Sequence, residues 1–283
     1  MKACRTIASL RRALAAAGDR PVGFVPTMGF LHEGHLSLVR ACRKENELAV
    51  VSIYVNPAQF GPAEDLQRYP RDPEHDSALL KKEGVDILFM PGDTEMYAPP
   101  FRTWVDVREL DSKLCGRSRP GHFRGVATVV LKLFNLVQPQ RAYFGQKDAQ
   151  QALVLRQMVR DLGLPVRLRV LPIVRDADGL ALSSRNVYLS SAERRAALAL
   201  PRSLELAKAM IREGEARSRA LRKAVEAAIA AEPLLALDYV AVVRLQDLEE
   251  APRIEAGNTL IAAAVRVGKT RLIDNLLLGD LSC

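Results

Sequence analysis

The sequence predicts an α/β protein, a doubly wound parallel sheet covered by helices on both faces, followed by a smaller C-terminal α+β domain. Three observations predict it. Strand-length apolar runs alternate with helical patterns through the first part of the chain, which is how successive βαβ units appear in a sequence. The strongest run, Leu48 to Val55 (L-A-V-V-S-I-Y-V), is nearly unbroken apolar and rich in β-branched residues, as a strand covered on both faces requires. After Val174 the order changes to helices followed by strands, so the first domain is read as residues 1–175 and the second as 176–283. A chain of 283 residues has room for two cores.

Taken in order, Thr6 to Ala17 sets Ile7, Leu10 and Leu14 on one helical face, with Gly18 at the C-terminal cap position. Val22 to Val25 is the first strand expected. It meets Pro26 and a turn at Gly29, and a helix with Leu36, Val39 and Cys42 on one face then runs to Glu45. Beyond the Leu48 to Val55 strand, Asn56 to Pro73 contains four prolines and no periodicity, so it reads as a loop at the carboxyl end of that strand. A helix over Pro73 to Glu83 and a strand over Asp86 to Met90 follow. Pro91 to Phe101 reads as irregular and Trp104 to Val107 as a short strand. Cys115 to Gly125 (C-G-R-S-R-P-G-H-F-R-G) reads as a long loop, either a surface lid with solvated arginines or a binding loop. Val126 to Val137 is a strongly apolar, hence buried, helix. Arg141 to Gly145 is a strand, Gln151 to Arg160 a helix, and Val166 to Leu171 the fifth strand of the sheet.

In the second domain Asp176 to Gly179 (D-A-D-G) predicts a tight turn, and Ser190 with Glu193 a capping box that opens an Ala- and Arg-rich helix. Two helices are expected across roughly 192–231. Strand-like runs at Leu237 to Leu245, Thr259 to Val267 and Thr270 to Leu277 complete the chain, the last two joined by a hairpin at Gly268-Lys269.

Composition narrows the function. At 48% hydrophobic and 26% charged the chain is an ordinary globular protein, which excludes disorder. A formal net charge of +8 favours anionic partners. A phosphorylated or carboxylate small molecule ranks ahead of nucleic acid, because no basic stripe interleaved with aromatics is present. The four cysteines are scattered without a C-x-x-C pair, so free thiols in a reducing cytoplasm are expected. No signal-peptide pattern and no apolar run of membrane-spanning length is seen, so no membrane partner is expected.

Two familiar signatures fail. Gly268-Lys269-Thr270 resembles the end of a phosphate-binding P-loop, but Ala263 stands where its first glycine belongs and no helix follows. His32-Glu33-Gly34-His35 spaces its histidines three apart, one short of the i, i+4 pair that zinc takes on a helix, so no metal ligand is assigned. No G-x-G-x-x-G follows any strand, which removes the usual argument for a dinucleotide.

What remains is a strand, loop and helix start carrying two of the four histidines, His32 and His35. A helix N-terminus offers unpaired N–H groups to an anion, phosphate being the obvious guest, and Gly34 lacks a Cβ that would stand in its way. Imidazoles there donate to phosphate oxygens as charge builds at phosphorus. Lys147, at the strand end in G-Q-K-D, adds a cation. Leu182-Ser183-Ser184-Arg185-Asn186 adds small hydroxyls and an arginine just after the sheet.

H-x-G-H at the first crossover helix is the pattern of the nucleotidyltransferase superfamily, and Leu182 to Asn186 stands where that superfamily carries K-M-S-K-S. Five ordered motifs go further: P-T-M-G-F-L-H-E-G-H (Pro26 to His35), Y-V-N-P-A-Q-F (Tyr54 to Phe60), R-P-G-H-F-R-G-V-A-T-V-V (Arg119 to Val130), F-G-Q-K-D-A-Q-Q (Phe144 to Gln151) and S-S-R-N (Ser183 to Asn186). Across essentially the whole chain this set resembles the pantoate-beta-alanine ligase family. The resemblance implies a Rossmann-like sheet of nucleotidyltransferase type and an ATP-dependent condensation of (R)-pantoate with beta-alanine through a pantoyl adenylate, releasing AMP and pyrophosphate.

Carried over by residue, it implies a catalytic set of His32, His35, Lys147, Ser183, Ser184 and Arg185, with His35 the usual candidate acid. The implied ATP site comprises Met28, Gly29, His32, His35, Gly145, Gln146, Lys147, Asp148, Val174, Leu182, Ser183, Ser184 and Arg185. Pantoate and beta-alanine would meet Asn56, Gln59 and Gln151, with Val126 and Val130 either walling pantoate's methyls or simply packing the core. Mg2+ would arrive with ATP, no tightly bound cofactor is implied, and the protein would be a cytoplasmic homodimer. A hinge near residue 176 would let Ser183 to Arg185 close on ATP. Three residues depart from the family pattern: Gln146 stands for a common Glu, Leu182 for Met, and Phe30 for a small residue. Another nucleotidyltransferase activity and a nucleic-acid-binding module, the latter suggested by the charge, are the alternatives.

Overall fold

A computed structural model describes residues 1–62 and 64–283. The first sheet has strands β1 (Lys2–Cys4), β2 (Val22–Thr27), β3 (Leu48–Ile53), β4 (Ile87–Phe89), β5 (Arg141–Gly145) and β6 (Arg167–Leu171) in the spatial order β1-β4-β3-β2-β5-β6. Every neighbouring pair is parallel. Alternate residues of β3 enter opposite cores: Val50 packs with one apolar cluster, Ala49 and Val51 with the other, and all three are fully buried. That is why its run reads as continuously apolar.

The helices are α1 (Ile7–Ala17), α2 (Glu33–Glu45), α3 (Pro73–Lys82), α4 (Asp93–Met96), α5 (Cys115–Ser118), α6 (His122–Val137) and α7 (Ala149–Asp161). Leu10 of α1, Phe134 of α6 and Leu153 of α7 pack on one face of the sheet, and Val39 of α2 and Leu80 of α3 on the other. From β2 the chain builds outward through β3 and β4, then crosses back to β5 on the other side of β2. The strand order therefore reverses between β2 and β5, and in an open α/β sheet the crevice beyond the carboxyl ends at that point is where ligands bind.

The second domain has α8 (Ser191–Ala197), α9 (Ala199–Arg212), α10 (Ser218–Ala230) and an antiparallel sheet of β7 (Leu235–Arg244), β8 (Asn258–Val267) and β9 (Thr270–Gly279) in that order. The hairpin at Gly268-Lys269 forms as its residues predict, with Val267 opposite Thr270. This sheet is covered twice. Val240, Val242 and Ile261 pack with Leu200, Leu204, Leu221 and Val225 of α9 and α10, whereas Ala241, Val243 and Leu260 join the core of the first domain. The final residue returns to the first sheet, the Cys283 N–H donating to the Leu168 carbonyl at 3.0 Å.

Several expected elements differ. A strand, β1, precedes the first helix; three residues with only Cys4 buried are too few to show a period. Trp104 to Val107 forms no strand, because the Val105 N–H donates to Thr128 Oγ1 of α6 at 3.0 Å and Trp104 stacks on Tyr97 with ring centroids 6.1 Å apart. Cys115 to Gly125 is not a surface lid: it forms α5 and the first turn of α6, which begins at His122 rather than Val126. The second domain opens with three helices rather than two, α8 and α9 being parted at Leu198. Among the described residues no helix is long and apolar enough to cross a membrane.

Candidate active site

All but two of the expected site residues line one cleft at the β2/β5 reversal; the exceptions are Gly29 and Gln146. The cleft starts where β2 ends. Asp76 of α3, which is 1% exposed, accepts from the Phe30 N–H (2.8 Å) and the Leu31 N–H (2.7 Å) and so holds the turn that follows Met28. Gly29 has a φ of 82°, and a Cβ there would come within 2.9 Å of the Asp76 carboxylate and of Ile53. Its glycine is a requirement of that turn. Phe30 adopts a φ of 50°, in the left-handed region where a bulky side chain is strained.

His32 caps α2. Its N–H donates to His35 Nδ1 at 3.3 Å, and the two rings lie 4.1 Å apart between centroids. Accepting on Nδ1 places the neutral His35 proton on Nε2. A Cβ on Gly34 would lie 2.9 Å from the His32 ring, so the glycine first makes room for the imidazole folded across it. Burial, and then the nearby Lys147 ammonium, bring His32 down to about 4. Burial, His32 and Lys147 hold His35 well below its ordinary value. Both rings are therefore neutral at pH 7, each with one N–H to donate. His32 Nδ1 is buried without a hydrogen-bond partner, an uncommon cost that a ligand hydrogen bond can offset.

Lys147 sits on a 3-10 turn, Gln146–Asp148, between β5 and α7. Its Nζ lies 3.1 Å from Asp148 Oδ2. Burial alone would push the Asp148 carboxyl up, but Lys147 foremost, together with His122 and Arg185, holds the group below the usual carboxylate range. Gln146 turns away to the second domain, where its Nε2 donates to Asn275 Oδ1 at 3.0 Å. The third anion-binding element follows the Arg175–Ala181 bridge. Ser183 Oγ accepts from the Arg185 N–H at 3.3 Å, and Ser184 Oγ donates to the Phe30 carbonyl at 3.2 Å, tying this segment to the histidine loop. Arg185 makes a two-pronged pair with Asp65 at 2.8 and 2.8 Å and lies over the Tyr69 ring.

The other end of the cleft is neutral. Asn56, 1% exposed, donates to Gln59 Oε1 and to the Gly125 carbonyl, both at 3.1 Å, and its Oδ1 accepts from the Tyr97 hydroxyl at 2.8 Å. Its capacity is spent, so it orients Gln59. Gln59 Nε2 faces the Met28 sulfur at 2.9 Å. Gly125 allows this packing: a Cβ there would lie 2.2 Å from the Ala58 carbonyl oxygen. Val126 and Val130 both belong to the core and line the cleft, so the two readings of them coexist.

Sequence reasoning missed Arg119, His122, Asp76 and Asn275. Arg119 pairs with Glu64 through two contacts of 2.6 Å and lines the cleft, as does His122. His122 Nδ1 lies 2.8 Å from the Gln59 carbonyl and its Nε2 2.9 Å from an Arg119 nitrogen, which assigns the proton to Nδ1. Burial and Arg119 bring it down to about 4. Both residues lie in R-P-G-H-F-R-G, whose glycines suggested a loop. Among the described residues no group of three or more His, Cys, Asp or Glu side chains is placed to hold a metal ion.

A sequence profile described as pantoate-beta-alanine ligase matches residues 2–277. The chain is 56% identical over 278 residues to a pantothenate synthetase of Roseiflexus castenholzii, covering 98% of this chain and 99% of the relative. It is 54% identical over 280 residues to that of Moorella thermoacetica, with 98% and 99% coverage. Its fold is similar to the crystal structure of pantothenate synthetase from Thermus thermophilus, with a TM-score of 0.94, 50% identity and coverage of 99% and 100%. A pantoate-beta-alanine ligase of Francisella tularensis, described as complexed with beta-gamma ATP and beta-alanine, matches with a TM-score of 0.80 at 32% identity, covering 98% of this chain and 97% of that one.

Proposed function

The chain belongs to the pantoate-beta-alanine ligase family, ligases that use ATP to form the amide bond between pantoate and beta-alanine, and from that premise we propose how its cleft divides the work. Gln59 and Gln151 hold pantoate through its hydroxyls and carboxylate, since amides both donate and accept without adding charge. Val126 and Val130 face its methyl groups. Met28, Gly145, Val174 and Leu182 line the nucleotide, and His32, His35, Lys147, Ser183, Ser184 and Arg185 take the phosphates. Gly29 and Gln146 support this site from outside the cleft.

In the first step a pantoate carboxylate oxygen attacks the α-phosphorus; the new O–P bond forms as the bond to pyrophosphate breaks. Lys147 offsets charge at the pentacoordinate phosphorus, and the neutral imidazoles of His32 and His35 donate hydrogen bonds. In the second step the beta-alanine amine attacks the acyl carbon, loses a proton, and AMP departs. The work is positioning and electrostatics, with Mg2+ entering as the Mg·ATP substrate complex. The family likeness further supports a homodimer, which light scattering tests; the scattered cysteines support a cytoplasmic protein, and the change of element order after Val174 supports a hinge near residue 176 between domains 1–175 and 176–283.

The observation that carries this reading is that neutral amides and clustered cations meet in one cleft at the strand-order reversal. Pyrophosphate exchange into ATP tests it: pantoate alone supports exchange and a panel of amino acids does not. Exchange that ignores pantoate defeats the assignment.

A further inference from the structure

A single 3-10 turn has few hydrogen bonds of its own to fix it, yet the Gln146–Asp148 turn carries Lys147. Its fixation comes from the second domain. Asn275 Nδ2 in β9 donates to the carbonyl oxygens of Gln146 (3.0 Å) and Lys147 (3.2 Å), while its Oδ1 accepts from Gln146 Nε2 (3.0 Å). Asn275 is 5% exposed and stands mid-strand, opposite Ala262. A buried amide there carries a desolvation cost that an apolar residue would avoid, and all three side-chain bonds go to one turn. The strand is anchored beside it: the Asn275 N–H donates to Asp274 Oδ1 at 2.8 Å, and the buried Asp274 carboxylate pairs with Arg175 at 2.6 and 3.0 Å.

We propose that Asn275 is a positioning residue for adenylate formation, holding the Gln146–Asp148 turn from the second domain so that the Lys147 ammonium meets the α-phosphorus. The inference rests on the role given above to Lys147. It assigns the second domain a part in the first half-reaction through the backbone that carries Lys147, separate from the closing of Ser183 to Arg185.

The test separates the two half-reactions. Adenylation is followed by pantoate-dependent pyrophosphate exchange, and acyl transfer by supplying pantoyl adenylate with beta-alanine. Asn275→Ala is expected to slow exchange about 10- to 100-fold, the scale of a misplaced catalytic group, while acyl transfer from supplied adenylate stays within about twofold. In a Lys147→Ala background Asn275→Ala adds no further loss, because the two act as one unit. Should Asn275→Ala melt below the assay temperature, Asn275→Thr keeps a strand-forming shape without the amide and carries the same comparison. Equal losses in both half-reactions, or multiplying losses in the double variant, would mean a merely structural role. If Lys147→Ala abolishes exchange and Asn275→Ala leaves it intact, the inference alone falls. If Lys147→Ala leaves exchange intact, the parent reading falls and takes the inference with it.

Discussion

The two ends of the cleft are built on opposite plans. At the acyl end Asn56 and Gln59 are neutral, buried, and hydrogen-bonded to groups of the first domain: to each other, to Tyr97, to Gly125 and to Met28. At the phosphate end two cations lean on carboxylates, Lys147 on Asp148 and Arg185 on Asp65, and Lys147's turn is bonded across the domain boundary to Asn275; a third pair, Arg119 with Glu64, stands instead beside Gln59, whose carbonyl accepts from Arg119 at 3.2 Å. Neutral amides with satisfied hydrogen bonds can wait in a fixed array. Clustered cations repel one another, and each is held against an acid that offsets this repulsion. The acyl end is fixed by amide hydrogen bonds; the phosphate end is fixed by ion pairs.

Four variants or conditions sharpen that contrast, in falling order of effect. Lys147→Ala is expected to lower the adenylation rate by about 10²- to 10³-fold, the usual loss for a group aimed at developing charge, measured as pyrophosphate exchange. A loss under tenfold would place the main stabilisation elsewhere. Gln59→Ala removes a preformed neutral contact and is expected to raise the KM for pantoate about tenfold while leaving that for ATP unchanged. A parallel rise for both substrates would show that the ends are not separate.

Asp65→Asn frees Arg185 from its ion pair and is expected to tighten ATP binding about threefold by calorimetry, as for a partly screened pair. Weaker binding would mean that Asp65 instead orients Arg185. The smallest effect is protonic. His32 titrates near 4 in the free protein and His35 below its ordinary value, so a bound triphosphate raises both, and binding takes up protons. ATP affinity therefore rises as pH falls from 7 towards the raised values, and calorimetry in buffers of different ionisation heat detects the uptake; proton release would contradict it. Stability follows the reverse direction. Unfolded histidines bind protons near 6.5, but folded His32 and His122 stay neutral down to about 4, so the melting temperature falls as pH drops through that window.

How legible each part was depends on the distance over which its causes act. The β3 run, the β8–β9 hairpin and the H-E-G-H helix start are local patterns, and the structure forms each of them. The cations and amides of the cleft were legible because their chemistry recurs in ordered motifs. Asp76 was not: it holds backbone groups 45 and 46 residues away and looks in sequence like any first-turn helix acid. Asn275 likewise reads as a polar strand residue, and its partners lie 128 and 129 positions distant. Arg119 and His122 were hidden by glycines that suggested a loop. Gly121 caps a helix in a left-handed conformation, and Gly125 instead permits close packing on Ala58. Gln146 likewise shows its partner, Asn275, only in three dimensions.

The central claim is that this cleft activates pantoate by attack of its carboxylate on the α-phosphorus. Pantoate labelled with 18O in both carboxylate oxygens, turned over with ATP and beta-alanine and read by mass spectrometry, tests it directly. The account predicts one labelled oxygen in AMP and none in pyrophosphate; unlabelled AMP, or label in a phosphate released from the γ-position, would contradict it.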